Sequence, residues 1–348
     1  MVAGCVLPLM LVTTLDAYAE NDKPLGVKEI LEIKNSLIAL SNAGDANASA
    51  KLGALYLSGS IGSPDYINAR KYLELGAEVD ISSRLALGHL YMNGLGGEID
   101  AAKAEREFSQ AAKQGSLEGL FLSSKLTLGR EATQAEIRNA VNQIVEASKA
   151  GFPPAIAAVG DFYRTGTFFS KSPEKAVEHF MVAADRGYYQ AYSTVAEMKL
   201  FSELGYADIA EAKRLYRLAI ENGVIKASYS LAFLVFSDEN SSESELEDVF
   251  RLAKISALSW DERSQYLLGL MYYKGKGVKK DNEEAYFWLE LAASAGVFES
   301  HHIRALAASE IEDEKLVHIK QRAKEWFVAN HNKPHNHIFI NNANHQFN

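Results

Sequence analysis

Residues 268–278 read Leu-Gly-Leu-Met-Tyr-Tyr-Lys-Gly-Lys-Gly-Val, and the features of this segment recur along the chain. With Gly269 as the marker, a small residue returns at steps of 35 to 37 residues, at Gly53, Gly88, Ser124, Gly160, Ala196 and Ala232. A fixed period of this length is typical of repeat architectures in which each copy is one supersecondary unit. The sequence therefore predicts seven copies of a single helix pair.

Each copy contains residues suited to two closely packed helices. The small marker allows the helices to approach, and a tyrosine three residues later, as at Tyr56 and Tyr272, fills the space between them. Nine residues before the marker most copies have a glycine, although Val79 and Trp260 occupy this place in two of them. Glycine adopts the left-handed conformation at a helix end without steric cost, so the preceding helix should end there. One such pair cannot bury its apolar face alone, and the copies must stack.

The pattern Leu-Gly-x-x-Tyr-x-x-Gly-x-Gly-Val, followed by Asp281, Ala285 and Trp288, resembles the Sel-one-like repeat, a relative of the tetratricopeptide repeat. The resemblance covers about residues 46–296. It implies an all-α fold, namely an α-solenoid (right-handed superhelix) of about seven two-helix repeats, and a role in assembling complexes. Bacterial members of this family are often exported and serve envelope assembly, signalling or host contact.

The period also predicts where each segment of the chain begins and ends. We predict seven repeats, at residues 46–80, 81–115, 116–151, 152–187, 188–223, 224–260 and 261–296. The flanking segments are a signal peptide at 1–19, a linker and N-terminal capping helix at 20–45, C-terminal capping helices at 297–330, and a disordered polar tail at 331–348. Terminal elements of a solenoid need a polar outer face, which is the reason for expecting capping helices.

The amino-terminal segment predicts export. An apolar run over residues 2–15 is followed by Ala17-Tyr18-Ala19, which is typical of a secretory cleavage site. The run is too short to span a bilayer as a helix, so we expect cleavage after Ala19, a periplasmic or secreted protein, and no integral membrane segment in the mature chain. Cys5, the single cysteine, lies in a sequence resembling a lipoprotein box, but the apolar run follows it, which argues against lipidation.

Composition and motifs argue against several functional classes. The net charge of −9, without a basic face interleaved with aromatic residues, excludes nucleic acid as the expected partner. There is no Gly-x-Ser-x-Gly turn, phosphate loop or His-Glu-x-x-His motif, so we predict no catalytic residues, no cofactor and no metal site. The histidines at 331, 335 and 337 could hold a transition metal weakly, and the acidic segment 237–248 could hold calcium, but a solvated tail and a solvated loop are favoured.

A partner surface is the remaining candidate site. By resemblance to tetratricopeptide arrays, the first helix of each repeat lines a concave groove, at positions three before, one after and four after the marker. These positions lie on one helix face, and they hold Tyr229, Phe233, Phe236, Tyr266, Leu270 and Tyr273 in the last two repeats, with Asp161, Arg164 and Glu197 in the fourth and fifth. The competing interpretation is that these rings are buried between repeats as core.

These patterns together predict a non-enzymatic scaffold or adaptor of the bacterial cell envelope. It would bind a peptide or protein partner along the concave groove. Two alternatives remain open at this point. One is a carbohydrate or cell-wall binding module, because aromatic grooves also stack on sugars, and the other is a hydrolase acting on envelope material.

Overall fold

The computed structural model describes residues 26–60, 62–201, 203–205 and 207–331. The chain divides into two compact bodies, one ending at Lys171 and the other beginning at Ser172. The predicted signal peptide and nearly all of the predicted polar tail lie outside the described residues. All 17 regular elements in the described part of the chain are helices, which confirms the predicted all-α repeat solenoid.

Eight helices form the N-terminal body. In chain order they are α1 (Val27–Asn42), α2 (Ala46–Ser58), α3 (Tyr66–Gly76), α4 (Ile81–Asn93), α5 (Ala101–Lys113), α6 (Leu117–Gly129), α7 (Gln134–Lys149) and α8 (Pro153–Thr165). Each helix packs against the next one along the chain. The apolar core of this body therefore runs continuously from one helix pair to the next.

Nine helices form the C-terminal body. In chain order they are α9 (Pro173–Asp185), α10 (Gln190–Leu200), α11 (Ile209–Glu221), α12 (Ala227–Ser237), α13 (Glu243–Leu258), α14 (Glu262–Lys274), α15 (Asn282–Ser294), α16 (Ser300–Ser309) and α17 (Asp313–His331). Consecutive helices pack together from α9 to α16, and α17 packs on α15. The helix pair α16–α17 thus covers the last repeat of the array.

The marker residues lie where the two helices of one repeat cross. A Cβ atom on Gly269 would stand 2.6 Å from Cγ of Leu289, twenty residues later on α15. The same offset places a Cβ on Gly88 2.5 Å from the buried ring of Phe108. Real Cβ contacts are not this short, so the crossing accepts only glycine without a shift of the facing side chain.

A second small position, five residues before the marker, packs between neighbouring repeats. A Cβ on Gly119 would stand 2.7 Å from the main-chain oxygen of Phe108, on the second helix of the preceding repeat. The seven residues at this position are all small and buried: Ala48, Ser83, Gly119, Ala155, Ala191, Ala227 and Ser264. Each repeat therefore has two positions at which neighbouring helices come close together, and the sequence pattern predicts only the marker position.

Trp260 departs from the glycine rule at helix ends. It has a φ of 68°, in the left-handed region where Gly223 and Gly296 also lie one period before and after it. A side chain in this region costs conformational free energy. The indole ring of Trp260 lies 4.9 Å from that of Trp326 and 5.5 Å from Phe327, both on α17, and this packing holds the residue in place.

Candidate partner-binding face of the C-terminal body

Three first helices lie side by side in the C-terminal body. Helix α12 contacts α14, and α14 contacts α16, while their partner helices α13, α15 and α17 pack behind them. We refer to the surface of α12, α14 and α16 as the first-helix face. Six of the nine candidate residues named from the sequence lie on α12 and α14.

A stacked aromatic pair, of which one ring is exposed and the other half-buried, lies on α12. The rings of Tyr229 and Phe233 stack with centroids 5.9 Å apart and an interplanar angle of 27°. Phe233 is 44% exposed, which is unusual for a phenylalanine on a helix of a packed array. The guanidinium of Arg263 on α14 lies 6.0 Å from the centroid of the Tyr229 ring. The pair offers an apolar platform with a cation beside it.

Two tyrosines on this face, Tyr229 and Tyr266, are neutral hydrogen-bonding groups. Burial raises the pKa of the Tyr229 phenol above its ordinary value, although Arg263 opposes the shift. Burial, and secondarily the carboxylate of Glu299, raises the pKa of Tyr266. Both phenols therefore stay protonated at neutral pH and can donate as well as accept a hydrogen bond.

Phe236 and Leu270 do not belong to the exposed surface, although both occupy predicted groove positions. They are 7% and 8% exposed, so their apolar atoms lie among packed side chains. Two lysines cover the Phe236 ring, with the Nζ of Lys274 5.5 Å and that of Lys276 5.3 Å from its centroid. The structure therefore places these two residues beneath the face, and their assignment as partner contacts stays a prediction.

Tyr273 lies at the carboxyl end of α14 and is half-buried. Its ring packs against the apolar cluster of the last repeats, which includes Leu268 and Trp288. The Nζ of Lys280 lies 5.4 Å from the ring centroid. Tyr273 is therefore partly buried in this cluster, with an ammonium group over its ring.

Two of the three charged candidates pair with each other. Arg164 donates from Nε and Nη2 to Oδ1 of Asp161, at 3.1 and 2.9 Å, one turn earlier on α8 of the N-terminal body. Exposed pairs of this kind contribute little stability. Glu197 is exposed on α10 and belongs to the C-terminal body.

The remaining candidates from the sequence have structural roles or lie outside the described residues. In the acidic segment, Asp238 accepts a hydrogen bond from Lys213 at 2.8 Å, and Ser242 with Glu245 forms the capping box of α13. The histidines at 335 and 337 lie outside the described residues. Within the described ranges, no three His, Cys, Asp or Glu side chains lie close enough to hold a metal ion. None of the described helices is both long and apolar enough to cross a bilayer.

The stacked helix pairs define a helical repeat scaffold. The chain belongs to the Sel1 repeat family, whose model matches residues 46–80, 81–116, 153–188, 195–224 and 263–297. The third and sixth predicted repeats, which the family model does not match, still fold as the helix pairs α6–α7 and α12–α13. Sel1 repeats are typical of proteins that hold other proteins.

Two known plant proteins are similar in sequence to about half of this chain. It is 26% identical over 188 residues to the ERAD-associated E3 ubiquitin-protein ligase component HRD3A of Arabidopsis thaliana, a match covering 50% of this chain and 27% of that protein. HRD3B of the same plant is 27% identical over 182 residues, covering 49% of this chain and 30% of the relative. The chain thus spans less than a third of the length of these curated relatives.

A solved structure shows the same architecture over most of the chain. The Sel1 repeat protein from Oxalobacter formigenes superposes with a TM-score of 0.61 at 25% identity. The match covers 84% of this chain and 83% of the Oxalobacter chain. This similarity extends beyond the repeats that the family model matches and supports the repeat fold.

Proposed function

We propose that this protein is a non-enzymatic scaffold that binds a peptide or protein partner on the first-helix face. The 44% exposed ring of Phe233, stacked on the half-buried ring of Tyr229, is the observation that carries the proposal. The corresponding positions of the first repeat hold Ala50 and Ala54, so the repeat fold does not require rings there. Exposed aromatic side chains are effective anchors because they bury much apolar area at a low cost in conformational entropy.

We further propose that the scaffold acts in a bacterial cell envelope. The apolar run at residues 2–15 and the segment Ala17-Tyr18-Ala19 support export. If the chain is exported and cleaved, the intact mass of protein recovered from the periplasm or medium corresponds to a chain that starts at Glu20. Recovery of the uncleaved chain from the cytosol alone would contradict this placement.

A matched pair of variants tests the binding role. Peptides that bind the full chain are first selected from a displayed library of random 16-residue sequences, and their affinities are then measured for each variant. Phe233→Ala should weaken binding by about 30-fold, equivalent to about 2 kcal/mol, because it removes an anchor. Ile255→Ala is the control, since Ile255 is 43% exposed but lies on the second helix α13.

The stability of the same variants separates a binding role from a core role. A ring that is 44% exposed should leave the free energy of unfolding nearly unchanged when it is removed. A loss of about 3–5 kcal/mol on Phe233→Ala would identify the ring as core. Unchanged peptide affinity, selective retention by peptidoglycan, or turnover of a cell-wall substrate would each contradict the proposed function.

A further inference from the structure

The turn after α14 carries a concentration of positive charge. Four lysines fall within residues 274–280 of a chain whose net charge is −9. Lys280 forms an ion pair with Glu310 at 2.9 Å. In the part of the chain that the structure describes, no carboxylate lies within ion-pair distance of Lys274, Lys276 or Lys279. We call these three residues the lysine rim.

The turn itself does not require these lysines. Gly275 and Gly277 have φ angles of 65° and 70°, and the equivalent glycines after α4, Gly94 and Gly96, have 66° and 75°. The backbone is therefore the same in both turns. The positions that hold Lys274, Lys276, Lys279 and Lys280 after α14 hold Asn93, Leu95, Glu98 and Ile99 after α4. The positive charge is an added property of this repeat.

Two of the three rim lysines, Lys274 and Lys276, are held against Phe236 beneath the first-helix face. Lys274 and Lys276 lie over the Phe236 ring, and Lys276 also donates a hydrogen bond to the main-chain oxygen of Phe236 at 3.1 Å. Attraction between an ammonium and a ring face orients both groups. Phe236 follows Phe233 by three residues on α12, so the rim lies about one helical turn from the exposed ring.

The charges at the two ends of the face differ. Carboxylates act at the amino ends of the first helices, where Glu299 and Asp261 both influence the pKa of Tyr229 and oppose Arg263. At the carboxyl ends, Asp238 after α12 and Glu310 after α16 are each already paired with a lysine, whereas the lysine rim after α14 has no carboxylate within ion-pair distance among the described residues. An extended ligand would therefore be drawn to this face with its negative charges toward the rim.

We propose that the first-helix face binds an acidic peptide segment that carries a large apolar side chain. This inference rests on the proposed function and specifies the chemistry of the partner. The apolar side chain packs on Phe233 and Tyr229, and carboxylates of the same segment pair with the lysine rim. The overall negative charge of the protein disfavours such a peptide elsewhere on its surface, which makes the positive rim selective.

Selection from the random 16-residue library tests this chemistry. Peptides enriched on the full chain should be net negative and contain at least one aromatic or large aliphatic residue. The triple variant Lys274→Ala, Lys276→Ala, Lys279→Ala should weaken their binding by at least about 10-fold, because up to three rim charges are lost. Raising the NaCl concentration from about 50 to about 300 mM should weaken peptide binding less for this variant than for the wild type, because screening then acts on fewer charge pairs.

A second triple variant controls for the change in net charge. Lys254, Lys320 and Lys324 are exposed on the second helices α13 and α17, and their replacement by alanine should leave peptide affinity unchanged. Circular dichroism and thermal unfolding verify that each variant is folded. The double variant Lys274→Glu, Lys279→Glu retains the Lys276 hydrogen bond, and it should abolish binding of the same peptides.

The possible outcomes distinguish the two proposals. Enriched peptides that are neutral or basic, and that depend on Phe233 but not on the rim, would overturn the acidic partner and leave the scaffold function standing. Equal losses in both lysine triples would also overturn the acidic partner. The absence of any enriched peptide would overturn both proposals. A protein that binds phosphatidylserine vesicles or a single-stranded oligonucleotide through the rim, but binds no acidic peptide, would overturn the peptide proposal. The partner would then be a different anionic molecule.

Discussion

At the scale of single residues, the array depends on close helix crossings. Gly269 tolerates no Cβ because Leu289 occupies the space beside it, and Gly88 has the same relation to Phe108. The 36-residue period of small residues predicted these positions from the sequence. The second row of small residues, which includes Gly119, follows the same period and could have been found by testing each offset for residue size.

Gly269→Ala should destabilise the protein by about 1–3 kcal/mol, because the added methyl group overpacks the crossing with Leu289. Alanine is otherwise the better helix former by about 1 kcal/mol. Gly129→Ala is the matched control, since Gly129 is the last residue of α6 and its Cβ would meet nothing within 4 Å. Urea denaturation should show destabilisation at 269 and no loss at 129. Equal effects at both positions would contradict the proposed crossing.

The conformation of Trp260 could not be predicted in the same way. The period assigns it to a glycine position, but a tryptophan there could equally indicate a helix that ends differently. Its partners, Trp326 and Phe327, lie more than 60 residues later on α17. Long-range packing of this kind leaves no periodic signal in the sequence.

At the scale of helices, the boundaries depend on side-chain caps. Asp45, Asp80, Asp261 and Asp281 each accept hydrogen bonds from free amides at the start of a helix. The third repeat uses a full capping box, in which Thr133 and Glu136 bond reciprocally at the start of α7. Caps supply local specificity that complements the packing of the apolar faces.

The capping box of α7 should make stability depend on pH. Hydrogen bonds from the Thr133 amide and hydroxyl, and then from Arg130, lower the pKa of Glu136 from 4.5 to about 2. A folded-state pKa below the unfolded value contributes stability above pH 4.5 that is lost as the pH falls toward about 2. The stability advantage of wild type over Glu136→Gln should therefore be present at neutral pH and vanish near pH 2.

Denaturant unfolding at a series of pH values measures this difference. Glu131→Gln is the control, because Glu131 is an exposed neighbour whose side chain takes no part in the capping box. Its difference from wild type should not follow the same pH profile. A Glu136→Gln difference that stays constant from neutral pH down to about 2 would contradict the assigned hydrogen bonds.

At the scale of the whole molecule, the period determined the fold but not which rings are exposed. Phe233 and Phe236 occupy equivalent helix-face positions, yet one is 44% and the other 7% exposed. The difference arises because Lys274 and Lys276, from the next repeat, cover Phe236. Helical periodicity predicts the helix face on which a residue lies, whereas the exposure of that residue depends on the neighbouring repeat. The lysine rim is visible in the sequence, but its relation to Phe236 is not.

Hydroxyl-radical footprinting of the protein with an enriched library peptide tests the central claim most directly. It measures the oxidation rate of each side chain with and without the peptide. Slower oxidation is expected at Phe233, and to a lesser degree at the half-buried Tyr229 and Tyr266, because the peptide covers the first-helix face. Ile255, equally exposed on α13, should oxidise at the same rate in both samples. Protection at Ile255 with no change at Tyr229 and Phe233 would contradict the assignment of this face as the partner site.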